Sequence, residues 1–264
     1  LHMTWRPVIA IVNRELRKLF RQRARLISAM ARPMIWLLVI GSGVGSMLHS
    51  SQQEGYLTFL VPGVVAMTLL FASLLSALTL VYDKEFGVMR MMMIAPISRH
   101  WIVLSKLLAA TLIAVIQATL LLLILFALQL TTLNIIFNLF FPILLTAICC
   151  AAIGGLIAVW SKTIDNFAVM MNFFIFPTFF LSGALYPVSQ LPGFLGYVVL
   201  INPFSYGVDL LKHSVPNINT DFSVTTDVTV LISFSIVAII TACWKFSRAP
   251  ALESLFHHIS KKKR

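Results

Sequence analysis

The side chains that could do chemistry in this 264-residue chain are few and spread far apart. No G-x-S-x-G or H-E-x-x-H occurs, so neither a nucleophile elbow nor a zinc-protease helix is encoded. His257 and His258 are adjacent on a basic tail, and adjacent residues cannot face one metal from successive helical turns. Asp165, Asp209 and Asp221 stand singly and read as helix caps or topology markers. Cys149, Cys150 and Cys243 fall inside apolar runs, with neither a disulfide framework nor a zinc spacing. These patterns point to no catalytic residue, no metal and no cofactor in the chain itself. The stretch richest in chemistry is 82–99. Charge alternates through Asp83, Lys84 and Glu85, then Phe86 and Gly87, and methionines surround Arg90 and Met91. Pro96 and Ser98 precede Arg99, with Ser98 placed to cap a following helix. A short helix with an adaptable methionine face suits a groove on a soluble partner.

The elements that must position this stretch are membrane helices. The chain is 59% hydrophobic and 11% charged, with mean hydropathy +0.93, whereas a soluble domain carries roughly a quarter charged residues. A bilayer crossing needs roughly 20 apolar residues, and six stretches qualify: 30–48, 57–82, 102–130, 135–160, 167–185 and 228–246. The fold class is therefore all-α integral membrane, one domain over 1–264, with Arg32 snorkelling and Pro33 in the first turn of the first span. Lys and Arg crowd 6–32, 84–106, 162 and 245–264, while 49–56, 131–134 and 186–227 hold only Lys212, so both termini are expected in the cytoplasm. Topology accounts for the net charge of +11 without nucleic acid, and the tail 261–264 suits anionic lipid headgroups. Leu1 and His2 read as a cloning remnant before Met3, and no cleavable signal peptide is expected.

Residues 3–29 place Val8, Val12, Leu16 and Leu19 opposite Arg14, Lys18, Arg21 and Arg25, which predicts an amphipathic helix along the inner leaflet. Segment 186–227, broken by Pro and Gly, predicts an external re-entrant hairpin. The spans carry no ionisable group away from their ends, which argues against ion-coupled carriers. Gln117, Thr111, Thr119, Thr146 and Asn172 read as helix-to-helix glue, and Gly41, Gly43 and Gly45 as a small-residue packing face. Phe173, Phe176 and Phe180, with Phe174 and Phe179, crowd the fifth span and suit a lipid-like or amphipathic cargo.

Two blocks carry a family resemblance. Asp83-Lys84-Glu85-Phe86-Gly87 to Arg90, Ala95-Pro96-Ile97-Ser98-Arg99 and Leu104-Ser105-Lys106 resemble the cytoplasmic loop of ABC-2 type permeases, the membrane subunits of ABC exporters. Leu181 to Pro187 with Gly183 and Tyr186, then Leu191-Pro192 and Ile201-Asn202-Pro203-Phe204-Ser205-Tyr206, look like that family's fifth-span end and external hairpin. The likeness runs over nearly the whole chain and is nearest the drug, lipo-oligosaccharide and polyketide exporter branch. Met91, where relatives often carry an acid, and Ser105, where glycine is common, depart from it. The resemblance implies a dimeric, non-enzymatic permease in the bacterial inner membrane. Two copies of an ATP-binding subunit would hold ATP and magnesium, residues 83–99 would be the coupling helix, and the hairpin would form an outer gate. The alternatives are an integral membrane enzyme acting on lipid and an ATP-independent carrier.

Overall fold

The computed structural model describes residues 5–45, 50–89, 98–186, 188, 193–216 and 218–248, and the regular structure among them is helical. The single amphipathic helix expected over 3–29 is instead two elements divided at Gln22, α1 (Trp5–Arg21) and α2 (Arg23–Gly45). The buried positions of α1 are Val8, Ile11, Glu15 and Leu19, whose spacing of three and four is one stripe of a 3.6-residue helix. A carboxylate therefore lies within the apolar stripe. Because α2 begins at Arg23, Pro33 sits well inside it and not in a first turn. Arg32 next to it stacks its guanidinium 4.1 Å above the Phe71 ring.

Among the described residues α2 is followed by α3 (Ser50–Glu85), α4 (Arg99–Ala127), α5 (Leu133–Trp160), α6 (Ile164–Phe180), and the short α7 (Gly193–Ile201) and α8 (Pro203–Lys212). The last described element is α9 (Val224–Arg248). Among the described residues α3, α4, α5 and α9 are long and apolar enough to cross a membrane, and α7 with α8, bent by 91° at Asn202, would make a fifth if counted as one span. The expected first and fifth spans correspond to α2, whose apolar part is Ala29–Gly41, and to the 17-residue α6. The 17-residue α6 is at the short limit of a perpendicular crossing, and Ala29–Gly41 is the apolar part of α2 among the described residues. By length alone, four of the six expected spans are met.

The core is organised around α3, which packs against α2, α4, α5, α6 and α8. In its spanning window 78% of residues are buried, against 28% in α9, so α9 lies at the rim. Close approach is made by small residues. A Cβ at Gly154 of α5 would stand 2.9 Å from the Ala77 Cβ and 3.4 Å from the Ser73 carbonyl oxygen on α3. Gly207 of α8 is likewise pressed on Thr146, whose hydroxyl donates to the Gly207 carbonyl at 3.4 Å. Thr146 is thus interhelical glue as expected, but Thr111 and Thr119 donate to Leu107 and Val115 of their own helix. Gly43 differs as well, since a Cβ there would meet nothing within 4 Å. Large apolar side chains face outward from α2 (Ile35, Val39) and α6 (Val169, Phe173, Phe176), a surface suited to lipid or another apolar face.

Candidate functional site

The charged start of the 82–99 stretch is helical. Asp83, Lys84 and Glu85 form the last turn of α3, which ends with Phe86 and with Gly87 at φ +76°. Glycine adopts that left-handed conformation without the Cβ clash other residues suffer, so it stops the helix. Each of the three charges is then committed to a different neighbour.

Asp83 enters a buried knot joining α1, α3 and α4. Its Oδ2 accepts from Arg14 Nη2 at 2.7 Å and pairs with Lys106 Nζ. Lys106 Nζ also donates to Glu15 Oε1 at 2.7 Å and to Thr79 Oγ1 at 3.3 Å. Arg14 Nη2 and Lys18 Nζ reach the same Glu15 oxygen at 2.8 and 3.4 Å. Three cations thus face two carboxylates, and Glu15 and Lys106 are each nearly sealed from solvent, at 2% and 5% exposure. Burial works against ionising Glu15, but Lys106, Arg14 and Lys18 outweigh it and hold its pKa at about 2. The Arg14 guanidinium is desolvated yet shifted upward by Glu15 and Asp83. Lys106, assigned from sequence to the edge of a loop, is inside α4 and inside the core.

Lys84 and Glu85 hold the turn between α5 and α6. Lys84 Nζ donates to the carbonyls of Ala158 and Val159 at 2.7 and 2.9 Å and approaches that of Ser161 at 3.4 Å, all at the C-terminus of α5. Glu85 Oε2 accepts from the Ile164 amide at 2.7 Å, at the N-terminus of α6. A cation on terminal carbonyls and an anion on a leading amide both match the helix dipoles. Phe86 is different: it is 69% exposed and, among the described residues, stacks on Tyr82, ring centroids 5.9 Å apart. Ser98 does occupy the N-cap of α4, but its hydroxyl pairs with His100 Nε2 at 3.1 Å and makes no cap hydrogen bond. Arg99 Nη1 donates to the Ser247 carbonyl at 3.0 Å, tying α4 to the end of α9. Arg90, Met91 and Pro96 lie outside the described residues.

At the other end of the bundle, Gly183 also takes φ +76°, and the Tyr186 hydroxyl donates to the Phe180 carbonyl. Asn202 caps α8 by accepting from the Phe204 amide at 3.2 Å while donating to the Thr178 carbonyl at 2.8 Å, with Pro203 as the first helical residue. The hairpin is thereby fastened to the end of α6. Pro187, Leu191 and Pro192 lie outside the described residues. Phe173 and Phe176 point away from the bundle, whereas Phe180 packs edge-on against Trp36, ring centroids 5.9 Å apart. The proposed aromatic stripe is therefore split between an outer face and a helix contact. Asp209 and Asp221, single in sequence, are brought together: Asp209 accepts from the amides of Asp221 and Phe222, each at 2.9 Å.

Residues 6–215 match the family model described as ABC-2 type transporter. The chain belongs to the ABC-2 type transporter family. It is 27% identical over 210 residues to a ycf38 protein of Cyanophora paradoxa, covering 78% of this chain and 72% of that one. Nodulation protein J of Neorhizobium galegae is 27% identical over 210 residues, covering 74% and 77% of the two chains. Inner membrane transport permease YadH of Escherichia coli K12 is 23% identical over 249 residues, covering 92% and 95%. This ABC-2 permease is accordingly a multi-pass membrane protein with a transport role, from a family that normally works with an ATP-binding subunit. Glu15, the centre of the charged knot, is not singled out by any motif. Its one signal in the sequence is position: it is the sole acid among residues 1–32 and shares the helical stripe of Val8 and Leu19.

Proposed function

We propose that this permease is the membrane subunit of an ATP-driven exporter, working as a dimer with two ATP-binding subunits beneath it. It moves an amphipathic, lipid-linked or drug-like substrate outward from the cytoplasm or inner leaflet. It sits in a bacterial inner membrane with both termini inside and residues 1–264 as one transmembrane domain. In this reading α2 and α6 are the first and fifth spans, the short α6 accommodated by local bilayer thinning, and α7 with α8 is the outer gate. ATP and magnesium are bound by the partner.

One observation carries this reading: the three charges before Phe86 each grip a different part of the bundle. Through Asp83, force applied at the exposed Phe86 reaches α1 and α4; through Lys84 and Glu85 it reaches α5 and α6. Phe86, together with Met91 to Met93 of the loop sequence, is the contact with the ATP-binding subunit, Met89 is turned into the core, and Asp83 to Glu85 are the fastening behind it. Phe173 and Phe176 on the outer face of α6 border the pathway between two copies.

The test is purification of the intact complex in mild detergent, followed by reconstitution. An ATP-binding protein should co-purify at equal stoichiometry, and candidate amphiphiles should stimulate its hydrolysis. Phe86→Ala should preserve assembly of the permease and hydrolysis while abolishing transport. Transport that continues without ATP, or that is unaffected by Phe86→Ala, would sink the proposal.

A further inference from the structure

At the end of the bundle remote from the Arg14–Lys106 knot, α8 and α9 bring together three groups able to hold a metal ion. Asp209 and His213 lie one helical turn apart at the end of α8, and Asp227 lies in the first turn of α9. One donor atom of each falls within 4.8 Å of the others. His213 Nε2 is 3.7 Å from Asp209 Oδ2 and 3.6 Å from Asp227 Oδ2. The same nitrogen is 3.0 Å from the Phe222 carbonyl oxygen.

Asp227 makes this more than a cluster of acids. Its exposure is 0%, and neither carboxylate oxygen has a hydrogen-bond partner among the described residues. Burying a carboxylate without a partner is strongly unfavourable. The nearby cation does not relieve it, because Lys212 Nζ pairs with Asp221 Oδ2 at 3.5 Å and faces the Phe59 ring. His213 is the ion-pair partner of Asp227 among the described residues.

We propose that Asp209, His213 and Asp227 form a site for a divalent transition-metal ion of zinc's size and ligand preference. Donors bound tetrahedrally at about 2.0–2.1 Å stand about 3.4 Å from one another, so the two separations to His213, 3.6 and 3.7 Å, need to close by a few tenths of an ångström, and the two carboxylates offer donor atoms within 4.8 Å of each other. Two carboxylates balance the charge of the ion. Asp209 is already aimed by the amides of Asp221 and Phe222, the kind of outer hydrogen bonding that orients metal ligands. In the metal-free protein the Nε2–H tautomer of His213 donates to the Phe222 carbonyl. The ion replaces that proton at Nε2 while Nδ1 takes one up, so the imidazole stays neutral and changes tautomer on binding. The Phe222 carbonyl or a water fills the fourth position. A bound ion would staple α8 to the start of α9, fixing the hairpin against the last helix. Calcium and magnesium, which need six or more oxygens, are poorly served by three protein donors and an imidazole.

The experiment uses the full chain in detergent, with His257→Ala and His258→Ala to remove the histidines of the tail. Dialysis against Zn2+ followed by metal analysis should find one ion per chain, and a hundredfold excess of Mg2+ or Ca2+ should not displace it. Zn2+ should raise the Tm. Asp227→Asn and His213→Gln should each weaken binding at least about tenfold, while Asp221→Asn, beside the site but outside it, should retain the ion. Absence of stoichiometric Zn2+, undiminished binding by both ligand variants, or equal loss in Asp221→Asn would each overturn the assignment. Should Asp227→Asn fail to accumulate, His213→Gln against Asp221→Asn makes the same comparison.

Discussion

Glu15 and Lys106 set the residue scale, because each is expensive to bury alone and tolerable only with the other. Glu15 has its pKa lowered from 4.5 to about 2 in the folded chain. A carboxyl depressed in this way stabilises the fold fully above pH 4.5 and loses that contribution as the pH falls towards 2. At about 1.4 kcal/mol per pKa unit the contribution is about 3 kcal/mol. Thermal melts of the detergent-solubilised protein should therefore drop steeply between pH 4.5 and 2, and Glu15→Gln should flatten that part of the curve. Lys106→Met removes the buried cation of the knot and leaves Glu15 and Asp83 to the half-exposed Arg14 and Lys18, and should cost about 3 kcal/mol. Arg17→Ala, on the exposed side of α1, should stay within about 0.5 kcal/mol. Equal melting temperatures for these two variants would contradict the knot.

Between elements, what matters is how helix ends and helix faces meet. Lys84 closes the exposed carbonyls of α5 and Glu85 the leading amide of α6, so two neighbouring residues fix the geometry of one turn. Lys84→Met removes both charge-assisted bonds to α5 and should destabilise by about 2 kcal/mol in chemical denaturation. Glu85→Gln keeps an acceptor for the Ile164 amide and should cost less than about 1 kcal/mol. The α3–α5 contact is set by volume: Gly154→Leu would drive a side chain into Ala77 and the Ser73 carbonyl, with an expected loss of about 1–3 kcal/mol. A neutral outcome at Gly154 would mean the two helices are not in register at that point.

For the whole molecule, the exposed apolar faces of α2 and α6 must meet either acyl chains or a second copy, since water would penalise both. If α6 faces the pathway between two copies, Phe173→Cys in a background lacking Cys149, Cys150 and Cys243 should form an oxidant-dependent dimer in native membranes. A cysteine at Trp244, exposed on the rim helix α9, should not. Cross-linking at Trp244 but not at Phe173 would move the dimer contact to the other side of the bundle.

Composition determined the class of this protein, because 59% apolar residues leave too little polar surface for a water-soluble globule. The loop signature around Asp83–Gly87 and the hairpin block around Asn202–Pro203 pointed to the family through local residue patterns, and a helix cap or a stop at Gly87 is a local event. Ser98 at the N-cap position of α4 was accordingly legible in advance, whereas Asn202 and Gly87 were read as family-pattern residues and their roles as cap and helix stop came from the structure. The partners of the charges were not. Glu15 meets Lys106 across 91 residues, Lys84 meets Ala158 across 74, and Asp227 meets His213 only because α9 returns beside α8. Hydropathy windows see each such residue as an end-of-span charge, and periodicity sees Glu15 as an error in an apolar stripe. Whether a buried charge is a defect or a fastening depends on what stands opposite it, and only the tertiary structure supplies that.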